Sequence, residues 1–160
     1  MALDDETKLP AIRPALIADV PTITLIARQS FERYVPLIVR PPAPMRANFS
    51  KHVLENTVFI AKSEKSQGVV LGYSIILQKD EAWLLDNIAV NPWAQGRGIV
   101  SALIATCEAF LRDCGAKRYL IYTNEVMEQT LTSYPAIGFV ETNRRLEDRF
   151  SRVYFSKALV

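Results

Sequence analysis

The residues with the most chemical content lie together in the segment 86–103, DNIAVNPWAQGRGIVSAL. A hydrophobic run ends at Val90, and Asn91-Pro92 breaks it, because proline has no N–H to give a sheet ladder. Gln95, Gly96, Arg97 and Gly98 then open straight into an amphipathic stretch that begins Ile99, Val100, Ser101. This is the pattern of a strand, a glycine-rich loop and a helix N-terminus. The first amides of a helix have no partner inside the helix and carry a partial positive charge outward. Glycines let that backbone approach an anion closely, and Arg97 adds a full charge. Such a site suits a phosphate or a pyrophosphate.

The glycine spacing narrows the ligand. No Lys-Ser or Lys-Thr pair follows the glycines, so a Walker-type nucleotide loop is excluded. A dinucleotide fingerprint fails at its third glycine, where Ser101 stands. It also comes too late in a chain of 160 residues for a fold that would begin with it. Glycines before a helix also serve simple tight turns, so the loop needs support from elsewhere in the chain.

Composition removes other classes of function. Hydrophobic residues make up 49% and charged residues 22%, an ordinary globular balance. Two cysteines exclude a disulfide framework and a four-cysteine zinc site. The single histidine, His52, excludes a multi-histidine centre supplied by this chain, so no metal is expected. His52 reads as an ordinary surface or packing residue. Cys107 and Cys114 are seven positions apart on a helical segment, too far for a disulfide, and read as two small buried residues. A net charge of +2 gives non-specific nucleic-acid binding little to work with. The longest apolar stretch, 69–77, spans nine residues, whereas a membrane-spanning helix needs about 20. The N-terminal MALDDETKLP is acidic and lacks the apolar core of a signal peptide. The expectation is a soluble, cytoplasmic protein with neither nucleic-acid nor membrane partners.

The elements that must position the glycine loop follow from periodicity and punctuation. Residues 1–10 read as a flexible lead-in and 11–160 as one domain. A short strand over 11–16 is placed near an edge by Pro14. Asp19 is a candidate N-cap and Pro21 suits a first helical turn, after which Val20, Ile23, Ala27 and Phe31 recur at helical spacing. Residues 34–44 carry four prolines and must be irregular. Met45, Phe49 and Val53 mark a second helix. Strand-like runs over 58–61, 69–78 and 83–90 have short links that favour antiparallel neighbours. Ile99, Leu103, Cys107, Phe110 and Cys114 share a helix face that Gly115 ends. A strand over 118–123, a short helix over 126–136 capped by Asn124, a charged loop over 143–149 and a last strand over 153–159 complete the chain. Arg144, Arg145 and Arg149 read as part of that solvated loop, and Trp93 as a cover for the glycine loop or an interface residue. The result is a mixed α/β or α+β domain.

The segment resembles the central motif of the GCN5-related N-acetyltransferase (GNAT) family: Gln or Arg, two residues, Gly, one residue, then Gly or Ala, after a strand ending in Val-x-Pro. Gln95, Gly98 and Val90-Asn91-Pro92 match. Val100 stands where the family has Gly or Ala. Its branched side chain is expected to crowd a pyrophosphate while the backbone amide survives. Downstream, Tyr134-Pro135-Ala136-Ile137-Gly138-Phe139 is similar to the family's Tyr-x-x-x-Gly-Phe segment. Asn124 is similar to a common polar contact for the cofactor arm. The fold this implies is an acyl-CoA N-acyltransferase fold, a central mixed sheet flanked by about four helices.

The resemblance implies acetyl-coenzyme A as donor, a primary amine of a small molecule or peptide as acceptor, and direct transfer with no acyl-enzyme. It implies that the strands 83–90 and 118–123 splay apart to admit the pantetheine arm along Ile88, Ala89 and Val90. Gln95, Gly96, Arg97, Gly98, Ile99, Val100 and Ser101 would hold the pyrophosphate. Transfer needs a deprotonated amine, a stabilised thioester oxygen and a proton for the departing thiolate. Tyr134 is the candidate proton donor, and the backbone amide near Val90 the candidate oxyanion donor. Asp86 is the candidate base, expected on the same strand face as Val90 because it lies four residues before it. Asn87 and Glu125 are weaker alternatives for orienting water. Substrate choice in the family lies in segments equivalent to 31–56, here apolar and proline-rich, and 143–153, here charged. The family also forms homodimers, an option the sequence leaves open. A non-catalytic acyl-CoA-binding sensor on the same fold is the alternative that Val100 sustains. A regulatory domain binding a nucleotide phosphate alone is a further one.

Overall fold

The computed structural model describes residues 10–38, 43–55, 57–64, 68–147 and 149–159. All but the last residue of the lead-in expected over 1–10 therefore lies outside the described residues. The strands are β1 (Ala11–Pro14), β2 (Thr57–Lys62), β3 (Val70–Lys79), β4 (Ala82–Val90), β5 (Arg118–Asn124), β6 (Val140–Glu147) and β7 (Phe150–Ala158). The helices are α1 (Val20–Phe31), α2 (Phe49–Glu55), α3 (Ile99–Asp113) and α4 (Glu128–Ala136). The strands form one seven-stranded sheet in the order β1-β2-β3-β4-β5-β7-β6. Every neighbouring pair is antiparallel except β4 and β5, which run parallel. The mixed sheet with its helices matches the fold class expected from the sequence, and β1 with Pro14 is indeed at an edge. No described helix is long and apolar enough to cross a membrane.

The sheet is covered on both faces, and the alternation of its strands says why. Ile23, Ile26 and Ala27 of α1 and Phe49 of α2 pack on Ile60, Tyr73, Ile75 and Ala89. On the opposite face, Leu103, Cys107 and Leu111 of α3 pack on Ile76, Leu85, Val90 and Ile121. Tyr134, Phe139 and Phe155 extend this second layer beyond α3. Each strand sends successive side chains to opposite faces, so both layers bury apolar surface.

Four local expectations need correction. Residues 143–149 are not a loop: they belong mostly to β6, which pairs with β7 from Val140↔Ser156 to Glu147↔Phe150. Seven of the eight β6 residues are exposed, so the strand shows no hydrophobic alternation to read. Backbone pairing holds it at the sheet edge, where charged side chains are at home. Cys107 is buried but Cys114 is exposed, because the covered face of α3 ends at Leu111. The helix expected over 126–136 starts at Glu128. Asn124 Oδ1 instead accepts the Val126 amide at 3.1 Å, closing a turn before it. Asp19 precedes α1, yet its side chain does not cap that helix. Its carboxylate accepts the Leu16 amide at 2.7 Å and the Arg13 guanidinium at 2.8 and 3.0 Å.

Candidate active site

β4 and β5 are paired only at Leu84↔Leu120 and Leu85↔Ile121, and then diverge. Beyond that point β4 runs on to Val90 with β3 on one side and a gap on the other. The Asn91 amide donates to the Leu71 carbonyl of β3 at 2.7 Å. Backbone groups alternate along a strand, so those of Ile88 and Val90 turn toward the gap. The hydroxyl of Ser30, buried on α1, donates to the Val90 carbonyl at 2.9 Å and fixes the rim of the gap. Ser30 was not singled out from the sequence. Its signal is a polar residue seven positions after Ile23, on the buried face of α1.

A bulge sits where the gap begins. Ile75 pairs with Asn87 and Ile76 with Leu85, so Asp86 is an extra residue on β4. The bulge breaks the period of two. Leu85 and Ile88, an odd number of residues apart, therefore both pack on the α3 face. Asp86 turns instead to the α1/α2 face, where it accepts a hydrogen bond from Tyr122 at 3.3 Å. The expectation that Asp86 shares a face with Val90 thus fails, because it assumed a regular strand.

Past Val90, the glycine loop leads into α3 as its pattern required. Gly98 is the N-cap residue of α3, with φ 77°, and no side chain caps the helix. A Cβ at Gly98 would meet nothing within 4 Å, so the glycine serves the left-handed backbone and leaves open space beside it. Ile88, Ala89, Val90, Gln95, Gly96, Gly98, Ile99, Val100, Ser101 and Tyr134 all line one cleft of about 370 Å³. Val100 is 39% exposed. Arg97 is not part of the lining: its guanidinium lies 5.8 Å from the ring centre of the exposed Trp93.

A second cavity of about 90 Å³ lies at the bulge end of the gap. Asp86, Tyr122, Asn124, Tyr134, Phe31 and Arg152 are among its lining residues. Asn124 thus faces this cavity and not the larger cleft. Tyr134 lines both spaces, as do Phe31, Ile88, Met127 and Thr130. Asn87 lines the small cavity with its Oδ1 held by the Tyr73 hydroxyl at 2.8 Å. Glu125 is exposed and lines neither. Tyr122 and Arg152 went unnoticed in the sequence, where alternation along a strand does not say which face meets a cavity.

The two candidate catalytic groups have opposite characters. Burial holds the Asp86 carboxyl above the usual carboxylate range, and nearby His52, the Tyr122 hydroxyl, Arg152 and Lys79 only partly offset this. A raised carboxyl is a stronger base when ionised. Tyr134 is 8% exposed, with its ring 5.7 Å from Phe139 and 5.6 Å from Phe155. Burial pushes its phenol above the ordinary value, so it is a neutral donor at physiological pH. Among the described residues no protein group hydrogen-bonds its hydroxyl. The arrangement can hold an extended, anionic ligand by backbone groups, and set a phenol and a carboxylate at the far end.

Known proteins support this reading of the architecture. The sequence model of the acetyltransferase (GNAT) family matches residues 24–139. Solved structures with the same fold include a GCN5-related N-acetyltransferase, also described as a class-II aminotransferase, from Rhodopseudomonas palustris. It is 21% identical, with TM-score 0.78, over 96% of this chain and 98% of that one. The ribosomal-protein-S18-alanine N-acetyltransferase of Escherichia coli is 17% identical, with TM-score 0.74 and 94% of each chain covered. The PaiA N-acetyltransferase of Thermoplasma acidophilum, solved with coenzyme A, is 13% identical, with TM-score 0.75, over 92% of this chain and 98% of that one. No curated protein matches significantly by sequence. With the family match covering the gap, the glycine loop and the Tyr134 segment, the chain belongs to the GNAT acetyltransferase family.

Proposed function

We propose that this protein is an acetyl-CoA-dependent N-acetyltransferase that acts on a primary amine by direct transfer. The observation that carries the proposal is the one-sided gap beside β4, open from the α3 N-terminus to Tyr134 and Asp86. The residues present fit acetyl-CoA. The uncapped first turn of α3 and the open space at Gly98 suit a pyrophosphate, and the gap-facing groups of Ile88 and Val90 suit the amides of a pantetheine arm. The bound donor supplies the thioester whose C–S bond breaks as the amine nitrogen bonds to the acetyl carbon.

The chain's own groups then have separable tasks. Asp86, directly or through water, takes the proton that the ammonium must lose before its lone pair is available. The Val90 amide is the donor aimed at the thioester oxygen. Tyr134 donates to the departing sulfur. A thiol has an ordinary pKa of roughly 8–9 and a phenol one of about 10. Burial raises Tyr134 further and keeps it neutral, so its proton is in place for the sulfur as the C–S bond breaks. Cys107 is buried on the packing face of α3, which leaves it no role as an acyl carrier.

The test is release of coenzyme A from acetyl-CoA across an amine panel, with the acetylated product identified by mass spectrometry. Turnover with at least one amine is expected. Tight acetyl-CoA binding with no turnover on any amine would instead favour a sensor, the reading that Val100 at the cleft wall keeps in play.

A further inference from the structure

We propose that the acceptor is a small amino acid, carrying a carboxylate beside its amine, and that Arg152 selects it. This deepens the function proposed above and rests on it, since the cavity in question is the one that would receive the amine.

Arg152 lies on β7 with its side chain 16% exposed, and it lines the cavity that contains Asp86. Its guanidinium is 4.5 Å from the ring centre of Tyr122 and 5.7 Å from that of Phe150. Aromatic packing covers the flat faces of a guanidinium and leaves its N–H edges for a planar acceptor. The carboxylate available to Arg152 is a poor match. Glu147 Oε2 is 3.6 Å away, longer than a hydrogen bond. The other oxygen, Glu147 Oε1, accepts the Tyr154 hydroxyl at 2.7 Å and pairs with Arg145 Nε at 3.1 Å. Tyr154 itself lies under the Arg145 guanidinium, 4.3 Å from it.

Among the described residues, two guanidinium groups, Arg145 and Arg152, share the carboxylate of Glu147. Asp86 makes no ion pair with Arg152 among the described residues, although the Arg152 charge acts on it and Tyr122 hydrogen-bonds it. The cavity thus holds a loosely paired cation and a carboxylate side by side. A molecule with an ammonium for Asp86 and a carboxylate for Arg152 complements both. Phe31, Ile38, Pro44, Leu85 and Phe150 make the remaining walls largely apolar. The space, about 90 Å³, accommodates a small molecule. Arginine suits this task because it binds a carboxylate through two parallel N–H donors.

The experiment pairs amines that differ only by the carboxylate: alanine against ethylamine, and leucine against 3-methylbutylamine. Calorimetric titration into the protein with coenzyme A present measures binding without needing turnover. The amino acid is expected to bind about tenfold or more tightly than its decarboxylated partner. Arg152→Gln should bring that ratio close to one by weakening the amino acid and not the plain amine. A general loss of folding would weaken both. Equal or tighter binding of the plain amines by the parent protein overturns the inference, as does failure of both amino acids to bind. Coenzyme A release in parallel separates the two proposals. A plain amine acetylated as fast as its amino acid keeps the acetyltransferase and removes the selectivity. Preferential amino-acid binding with no acetylation of any amine does the reverse.

Discussion

The cleft behind Val90 and the cavity around Asp86 meet at Tyr134 but are made of different material. The cleft is built from main chain: gap-facing groups of Ile88 and Val90, a left-handed Gly98 and the first turn of α3. The cavity is built from side chains that arrive from α1, β4, β5, α4 and β7. Main-chain sites depend on the local path of the backbone, so they tolerate changes of side chain. Side-chain sites depend on the identity and burial of each group. Substitution should therefore hit turnover hard in the cavity and binding only mildly along the cleft.

The largest effect is expected at their junction. Tyr134→Phe removes one hydroxyl and should lower kcat about 100-fold, the usual scale for losing a proton-handling group. Acetyl-CoA binding, measured by titration, should change by less than about twofold, because the proposed donor contacts are to backbone. A comparable loss of binding would erase the distinction between the two regions.

Asp86→Asn should cost turnover about tenfold or more by removing the base. It should also raise the melting temperature at pH 7, and the sign follows from linkage. Burial raises the Asp86 pKa in the folded state, so between the ordinary value and the raised one the folded protein binds more protons than the unfolded. Stability from this group is full below the ordinary carboxyl pKa and is lost as pH rises through the raised one. A neutral Asn avoids that loss. In the parent protein, kcat/KM should rise with pH as Asp86 ionises. A flat profile, or an Asn variant that melts earlier at pH 7, would remove Asp86 from this role.

Gly72 tests the frame of the cleft. A Cβ there would stand 2.8 Å from the Ala89 carbonyl oxygen and 3.1 Å from Val90 Cγ2. Gly72→Ala should cost about 1–3 kcal/mol in urea unfolding and weaken acetyl-CoA binding by displacing β4 at Val90. Normal binding after such a loss of stability would show that the edge of the gap adapts freely.

Val100→Gly is expected to have the smallest effect. Acetyl-CoA binding should tighten by no more than about threefold or stay the same, since the side chain only borders the cleft. Marked weakening would show that the valine contributes contact and does not crowd the ligand.

Legibility in the sequence divides along the same line. The main-chain cleft could be read almost entirely, because Val90, Pro92, Gly96, Gly98 and the start of α3 are consecutive and each residue type dictates its local backbone. The cavity could not. Tyr134 and Asp86 both line it, but the sequence misplaces the face of Asp86, since a bulge leaves no mark in a run such as WLLDNIAV. Ser30, Tyr122 and Arg152 were missed because each acts on residues far away in the chain. The edge strand β6 was read as a loop for a related reason: its partner, not its own composition, makes it a strand.

The order of helices and strands apart from β6, the glycine turn and the amphipathic α3 follow from the sequence, since each is set by residues within a few positions of one another. The parting of β4 from β5, the outward turn of Asp86 and the unequal sharing of Glu147 between Arg145 and Arg152 were decided only in three dimensions. Each depends on how separate segments register against one another. That register is fixed by the whole sheet settling between its two helical layers, a free energy no single segment carries.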